Sequence, residues 1–195
     1  MRPQMVIIME NTLSAMALRM LLFDIVGDNI DVVCYSTLDE FKEQESGGIA
    51  HFFVSTEVVF HNPNFFRDIA RRTIVVTSGD APAFAQSGFR TIDSKASEQS
   101  IARQILNIRS AGHPGEHPYP TAATEPKAVL SQREQEVLAL LVKGCINKEV
   151  ADRLNISLAT AIFHRNNISE KLQTRSLGRL TIYAVLNNIV SLSEL

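Results

Sequence analysis

From Leu158 to Ser169 the chain carries no acidic residue, and Ile162, Phe163 and Asn166 fall there on one helical stripe with Ala159 and Glu170. These types suit contact with the edges of base pairs. A carboxamide such as that of Asn166 donates and accepts side by side, as a bidentate pair with adenine requires, and apolar groups such as Ile162 and Phe163 pack on thymine methyls. The lack of carboxylates fits the same chemistry, because a helix in the major groove runs between two rows of phosphates. Ala161, Ile168 and Leu172, with His164 or Arg165 between them, have the spacing of a buried face. The competing assignment for Ile162 and Phe163 is the core or an intramolecular contact.

A reading helix needs another to brace it, and the preceding residues supply one. Ser131-Gln132-Arg133-Glu134 is a capping box opening a helix whose apolar face is Val137, Leu138 and Leu141, with Lys143 in its last turn and Gly144 as its stop. A second helix, with Asn147 as its expected cap and Val150, Ala151 and Leu154 facing inward, ends at Asn155. Ser157 then caps a third that runs to about Gln173, giving the helix, tight turn, helix arrangement of a DNA-binding unit. A fourth, from Leu177 to about Ser191, carries Leu180, Tyr183, Ala184, Val185, Leu186, Ile189 and Val190, more apolar surface than a small domain easily buries alone.

Residues 130–176, LSQREQEVLALLVKGCINKEVADRLNISLATAIFHRNNISEKLQTRS, resemble the LuxR/NarL (FixJ)-type helix-turn-helix domain. Leu130, Arg133, Glu134, Glu136, Val137, Leu138, Gly144, Asn147, Lys148, Glu149, Ala151, Leu154, Ser157, Thr160, His164, Asn167, Ile168, Lys171 and Leu172 all fall in register with that pattern. The resemblance implies a four-helix domain whose recognition helix, 158–172, turns Ile162, Phe163 and Asn166 toward the bases. It sets Lys148, Thr160, His164, Arg165 and Lys171 near phosphates, and it has the last helix pair two subunits on adjacent half-sites. Many similar sequences carry Lys or Arg at the places of Ile162 and Asn166, and a larger aliphatic residue at that of Ala161. The departure implies weaker electrostatic anchoring and a more apolar reading face, so a target sequence does not transfer.

The first 110 residues read differently. Short, nearly continuous apolar runs at Met5–Met9, Ile30–Tyr35, Ile49–Val54, Thr73–Thr77 and Phe89–Ile92 predict parallel strands buried on both faces. Helical spacing separates them: Thr12–Val26, where Leu13, Met16, Ala17, Met20 and Leu21 recur at i, i+3, i+4, i+7 and i+8 and Gly27 stops the helix, then Leu38–Glu45, Pro63–Arg72, a short Pro82–Ser87 and Glu98–Arg109. Five such alternations make a small doubly wound sheet that would take a ligand at the C-terminal ends of its strands.

That organisation resembles a response-regulator receiver of flavodoxin/CheY-like fold. A receiver holds Mg2+ on an acidic pair after strand one and a phosphoacceptor aspartate after strand three, and reads the product with a hydroxyl after strand four and a lysine after strand five. Here the corresponding positions are Glu10-Asn11, Ser55, Thr77 (or Ser78) and Lys95. With one carboxylate and no aspartate, the pocket is degenerate and aspartyl phosphorylation is not expected, unless a register two residues along brings Glu57 to the acceptor position. Thr77 and Lys95 either keep a signalling role or serve packing and surface alone.

Composition fits two domains, α/β plus all-α: a receiver-like (pseudo-receiver) doubly wound five-stranded parallel sheet over 1–110, a linker over 111–126 with four prolines and two glycines, and the helical domain over 127–195. The formal net charge of −2 hides an asymmetry, since residues 127–195 carry nine basic and six acidic side chains, net +3, and the remainder ten and fifteen, net −5. Cys34 and Cys145 lie in apolar surroundings, which suits a reducing compartment, and neither they nor His113 and His117 have metal-ligand spacing. No run approaches the roughly 20 apolar residues of a membrane span. The sequence therefore predicts a cytoplasmic regulator that binds specific double-stranded DNA. It predicts no enzyme, cofactor or metal, and has the receiver-like domain serving dimerisation or partner and signal binding. The competing function is a regulator whose helix-turn-helix face binds another protein, such as an RNA polymerase subunit or signalling partner.

Overall fold

The computed structural model describes residues 4–27, 30–44, 48–79, 81–110 and 130–195, which divide into two compact units. The linker expected over 111–126 lies outside the described residues.

The first unit is a five-stranded parallel sheet: β1 (Gln4–Ile8), β2 (Asp31–Tyr35), β3 (Ile49–Ser55), β4 (Thr73–Thr77) and β5 (Arg90–Asp93), in the order β2-β1-β3-β4-β5. Its apolar runs are continuous because both faces are covered. On one side Met5, Ile7, Phe53 and Ile74 pack with Ala15, Leu18, Leu22 and Val26 of α1 (Thr12–Val26) and Ile105 and Ile108 of α6 (Glu98–Ser110). On the other, Phe52 meets Phe41 of α2 (Leu38–Glu43) and Phe65 of α4 (Pro63–Asp68) edge to face, at centroid separations of 5.4 and 6.4 Å. Such perpendicular pairs add about 0.5–1.5 kcal/mol each beyond burial.

Two expectations need correction here. The segment expected as one helix, Pro63–Arg72, ends at Asp68 and finishes as a separate 3-10 turn at Ala70–Arg72, while an unexpected helix, α3 (Thr56–His61), starts directly after β3. The spacing read along α1 from Leu13 to Leu21 does not mark its buried face: Leu13, Met16 and Met20 are exposed, and Ala15, Leu18, Leu22 and Val26 are the inward residues. A short helix, α5 (Ala81–Gln86), lies between β4 and β5 in the chain. Among the described residues no helix is long and apolar enough to cross a membrane.

The second unit is helical: α7 (Gln132–Val142), α8 (Asn147–Arg153), α9 (Leu158–Lys171) and α10 (Leu177–Leu186). α9 packs on both α7 and α8, and α10 packs on α7. All four helices end in the same way. The residue after each C-cap, namely Gly144, Asn155, Gln173 and Asn188, has positive φ. The next amide in each case reaches back to the carbonyl five residues earlier, as in Ile156 to Ala151 (3.0 Å) and Thr174 to Ser169 (3.0 Å). This is the Schellman motif, which sends the chain sharply away from the helix axis. It also explains why α10 stops at Leu186 rather than near Ser191: with Asn188 at φ 55°, Ile189 N–H bonds the Ala184 carbonyl at 2.8 Å.

Candidate nucleic-acid interface

The geometry of α9 is set at both ends. Ser157 Oγ accepts the Thr160 N–H (3.1 Å) and lies 2.8 Å from the Thr160 hydroxyl, fixing the first turn. At the other end Lys171 Nζ donates to Oε2 of the buried Glu134 at 2.7 Å, and the same oxygen accepts the Ser131 N–H at 2.7 Å. The predicted capping box of α7 thus doubles as the socket that holds α9. Burial opposes a charge on Glu134, but the bonds from Lys171 and Ser131 outweigh it and hold the carboxyl below the ordinary carboxylate range. Arg133 braces the turn between α8 and α9: its guanidinium donates to the Leu154 carbonyl (2.7 Å) and to Glu136 (2.6 Å). The first of these bonds satisfies a carbonyl that the end of α8 leaves open.

With its ends fixed, α9 buries Ala161, Ile168 and Leu172 and turns Ala159, Ile162, Phe163, Asn166 and Glu170 outward, as their spacing predicts. Ile162 is 39 % and Phe163 60 % exposed, so neither belongs to the core of this unit. Asn166 and Ile162 line a groove of roughly 310 Å³ with Asn147, Arg165, Ser169 and Arg175. Arg165 donates to Asn147 Oδ1 at 3.0 Å, tying the outer face of α9 to the start of α8. Asn147 is therefore not the cap of α8. Ile146 occupies the cap position, its N–H bonded to Glu149 Oε2 at 2.8 Å, and Asn147 is the first helical residue.

The residues expected near phosphates are dispersed. Lys148 and Arg165 are exposed, Thr160 sits in the first turn of α9, and His164 is half-buried, its ring edge-on to Phe163 at 5.8 Å with Nδ1 buried and without a partner. Lys171 is held by Glu134. Arg175, in the turn after α9, stands beside Asn166 in the groove and was not singled out by the sequence, although its place just past the helix end was a readable cue.

In the first unit the degenerate pocket is a cleft of roughly 450 Å³ at the C-terminal ends of the strands. Asn11, Ser55, Glu57, Thr77 and Ser78 line it with apolar groups that include Leu18, Leu21 and Ile101. Glu10 and Lys95 are not among its lining residues. Asn11 and Ser55 are occupied as helix caps: Asn11 Oδ1 accepts from Ser14 N (3.0 Å) at α1 and Ser55 Oγ from Val58 N (3.4 Å) at α3. Thr77 is buried, its hydroxyl directed to the Ile92 carbonyl at 3.4 Å. Mg2+ asks for several hard oxygens, ordinarily carboxylates. The cleft offers the single carboxylate of Glu57 among neutral hydroxyl and carboxamide groups, of which Asn11, Ser55 and Thr77 are already directed to backbone, and this set does not fit that ion. Among the described residues no three His, Cys, Asp or Glu side chains gather as ligands.

Residues 128–184 match the family described as bacterial regulatory proteins, luxR family. The oxygen regulatory protein NreC of Staphylococcus carnosus (strain TM300) is 36 % identical over 69 residues, 35 % of this chain and 32 % of that protein. NreC of Staphylococcus aureus (strain JH9) is 39 % identical over 67 residues, 34 % and 31 % of the two chains. The match thus spans about a third of the length of these relatives. RcsB of Salmonella enterica serovar Typhimurium, solved on promoter rprA in the presence of a phosphomimetic, shares the fold with a TM-score of 0.66 at 16 % identity, covering 96 % of this chain and 100 % of that one. The RcsB response regulator–DNA complex gives 0.67 at 16 % identity, with 97 % and 100 % covered. Over residues 128–184 the helical unit thus matches the luxR family of bacterial regulatory proteins, and the chain shares the two-unit fold of the RcsB structures.

Proposed function

We propose that the protein is a sequence-specific regulator of transcription that lays α9 in the major groove of double-stranded DNA, with Ile162, Phe163 and Asn166 toward the bases. The observation that carries this reading is the outward stripe of α9: two exposed apolar side chains and a carboxamide, free of acids from Leu158 to Ser169, on a helix anchored at both ends. Lys148, Thr160, Arg165 and Arg175 supply phosphate contacts on its flanks. His164 and Lys171 act from behind, His164 by packing and Lys171 through Glu134.

The receiver-like unit works without aspartyl phosphorylation and serves as a platform for dimerisation or for a partner or signal. Supporting this are the bonded state of Asn11 and Ser55 and the single carboxylate in the cleft. Two half-sites bound by two copies would match the twofold symmetry usual for such readers, and a solved RcsB structure is described as two dimers bound to two parallel DNAs.

Salt tests the reading. Affinity of the full chain for its duplex should fall linearly with log salt, with a slope of roughly 0.9 per phosphate contacted. A salt-insensitive interface on the Ile162–Phe163 face would instead identify a protein partner there.

A further inference from the structure

The outward stripe of α9 is poor in hydrogen-bonding groups. Ala159 has none, Ile162 and Phe163 are exposed and apolar, and Leu158, one turn before Ile162, adds a third exposed apolar side chain. Asn166 is the carboxamide of this face, and Glu170 stands at its far end. The stripe holds no lysine or arginine, the usual readers of the guanine O6 and N7 acceptors. Arg165, beside it, is bonded to Asn147 Oδ1 at 3.0 Å. The Phe163 ring stands edge to face with that of His164, which limits the directions it can take.

On the major-groove edge of a base pair the one apolar group is the C5-methyl of thymine, and cytosine carries a bare C–H at the same place. An isoleucine or phenylalanine turned to the bases discriminates through that methyl, since it can neither donate to nor accept from the other groups there. Methylation of cytosine at C5 sets the same methyl in the same place and leaves the hydrogen bonds of the pair intact. We infer that Ile162 and Phe163 make α9 a reader of pyrimidine C5-methyl groups, so that the contacts selecting thymine also favour C5-methylated cytosine over plain cytosine. The inference rests on the DNA reading above and names what the apolar face selects. Leu158 to Asn166 covers about 12 Å of helix axis, the rise of three to four base pairs at roughly 3.4 Å each. Within that span the apolar side chains lie next to the base that Asn166 reads. Each methyl taken out of water against them raises affinity about fourfold. No counter-ion is released in that contact, so the factor holds at any salt concentration, unlike the contribution of the phosphates.

Anisotropy titrations of the full chain on the duplex enriched from a random pool test this. In one set each thymine is replaced in turn by deoxyuridine, which removes the methyl and nothing else. In the other, the thymine–adenine pair most sensitive to that change is replaced by cytosine–guanine, with the cytosine plain or C5-methylated. Deoxyuridine should weaken binding about fourfold at one or two positions, by the same factor at low and high salt, and C5-methylation should restore a similar factor to the cytosine duplex. Ile162→Ala or Phe163→Ala should abolish the deoxyuridine effect at the position each side chain covers, while circular dichroism shows an unchanged helical content and the salt slope is kept. Deoxyuridine tolerated at every thymine by a chain that still selects its motif would overturn the methyl reading and leave the DNA reading standing. An effect that persists in both alanine variants, or a cytosine indifferent to methylation, would overturn it in the same way. A chain that enriches no motif overturns both.

Discussion

Lys171, in the last turn of α9, donates to the carboxylate that also closes the capping box of α7, Glu134, at 2.7 Å. The ion pair therefore joins α9 to α7, and it sits where a cation also favours the negative end of the α9 dipole.

Lys171→Met should destabilise the helical unit by roughly 1–3 kcal/mol, because it leaves Glu134 buried with its charge uncompensated. Glu134→Gln keeps a side chain able to close the capping box and should cost less. Chemical denaturation of both variants, followed by the helical signal, checks the order.

The same pair sets an acid limit. Folded Glu134 is more acidic than the unfolded side chain near 4.5, so the unfolded chain takes up the proton first as pH falls. The stabilisation is complete above that value and is lost as pH drops through the folded pKa. Denaturation midpoints measured from pH 7 to about pH 3 should fall more steeply for wild type than for Glu134→Gln. Glu194, at the exposed end of the chain, is held at about 2 chiefly by the hydrogen bond from Lys143.

Gln173 ends α9 at φ 50°, a conformation that costs a side chain with a Cβ about 1 kcal/mol and glycine almost nothing. Gln173→Gly should raise the melting temperature of the helical unit, with the larger unfolded-state freedom of glycine taking back part of the gain. An unchanged or lowered midpoint would show that the exposed Gln173 side chain contributes contacts of its own.

A small acyl phosphate should add no phosphoryl mass to the wild-type chain, because Ser55 has no carboxylate and caps α3 instead. A gain abolished in Glu57→Gln would place the acceptor at Glu57, the one carboxylate lining the cleft.

How far these features could be read in the sequence follows from the range of the interactions that make them. Strand β4 and helix α1 were legible to the residue, since continuous apolar runs and a stop at Gly27 are local signals. Which side of α1 faces the sheet was not, because periodicity selects no face when Leu13, Met16 and Met20 are as apolar as Leu18 and Leu22. Helix α3 was missed because Val58-Val59-Phe60 reads as more strand; the usable cue was Ser55 as a cap. On α9 the outward and inward stripes were legible from spacing alone. The Arg165–Asn147 bond, the Lys171–Glu134 pair and the place of Arg175 depend on residues brought together by the fold, and sequence spacing carries no record of them.

The contacts with bases and with phosphates should separate on mutation. Arg175→Ala should weaken binding about equally on all duplexes and reduce the salt slope by roughly 1. Asn166→Ala should cost roughly 1–3 kcal/mol on the preferred site and little on random DNA.

Selection of bound fragments from a random duplex pool by the full chain tests the central claim most directly. The account predicts that one motif is enriched, that footprinting places the protein over it, and that the Asn166→Ala variant loses the enrichment while retaining weak, salt-sensitive binding. A pool that returns no motif after repeated rounds with folded protein would contradict it, and would assign the exposed Ile162–Phe163 face to a protein partner.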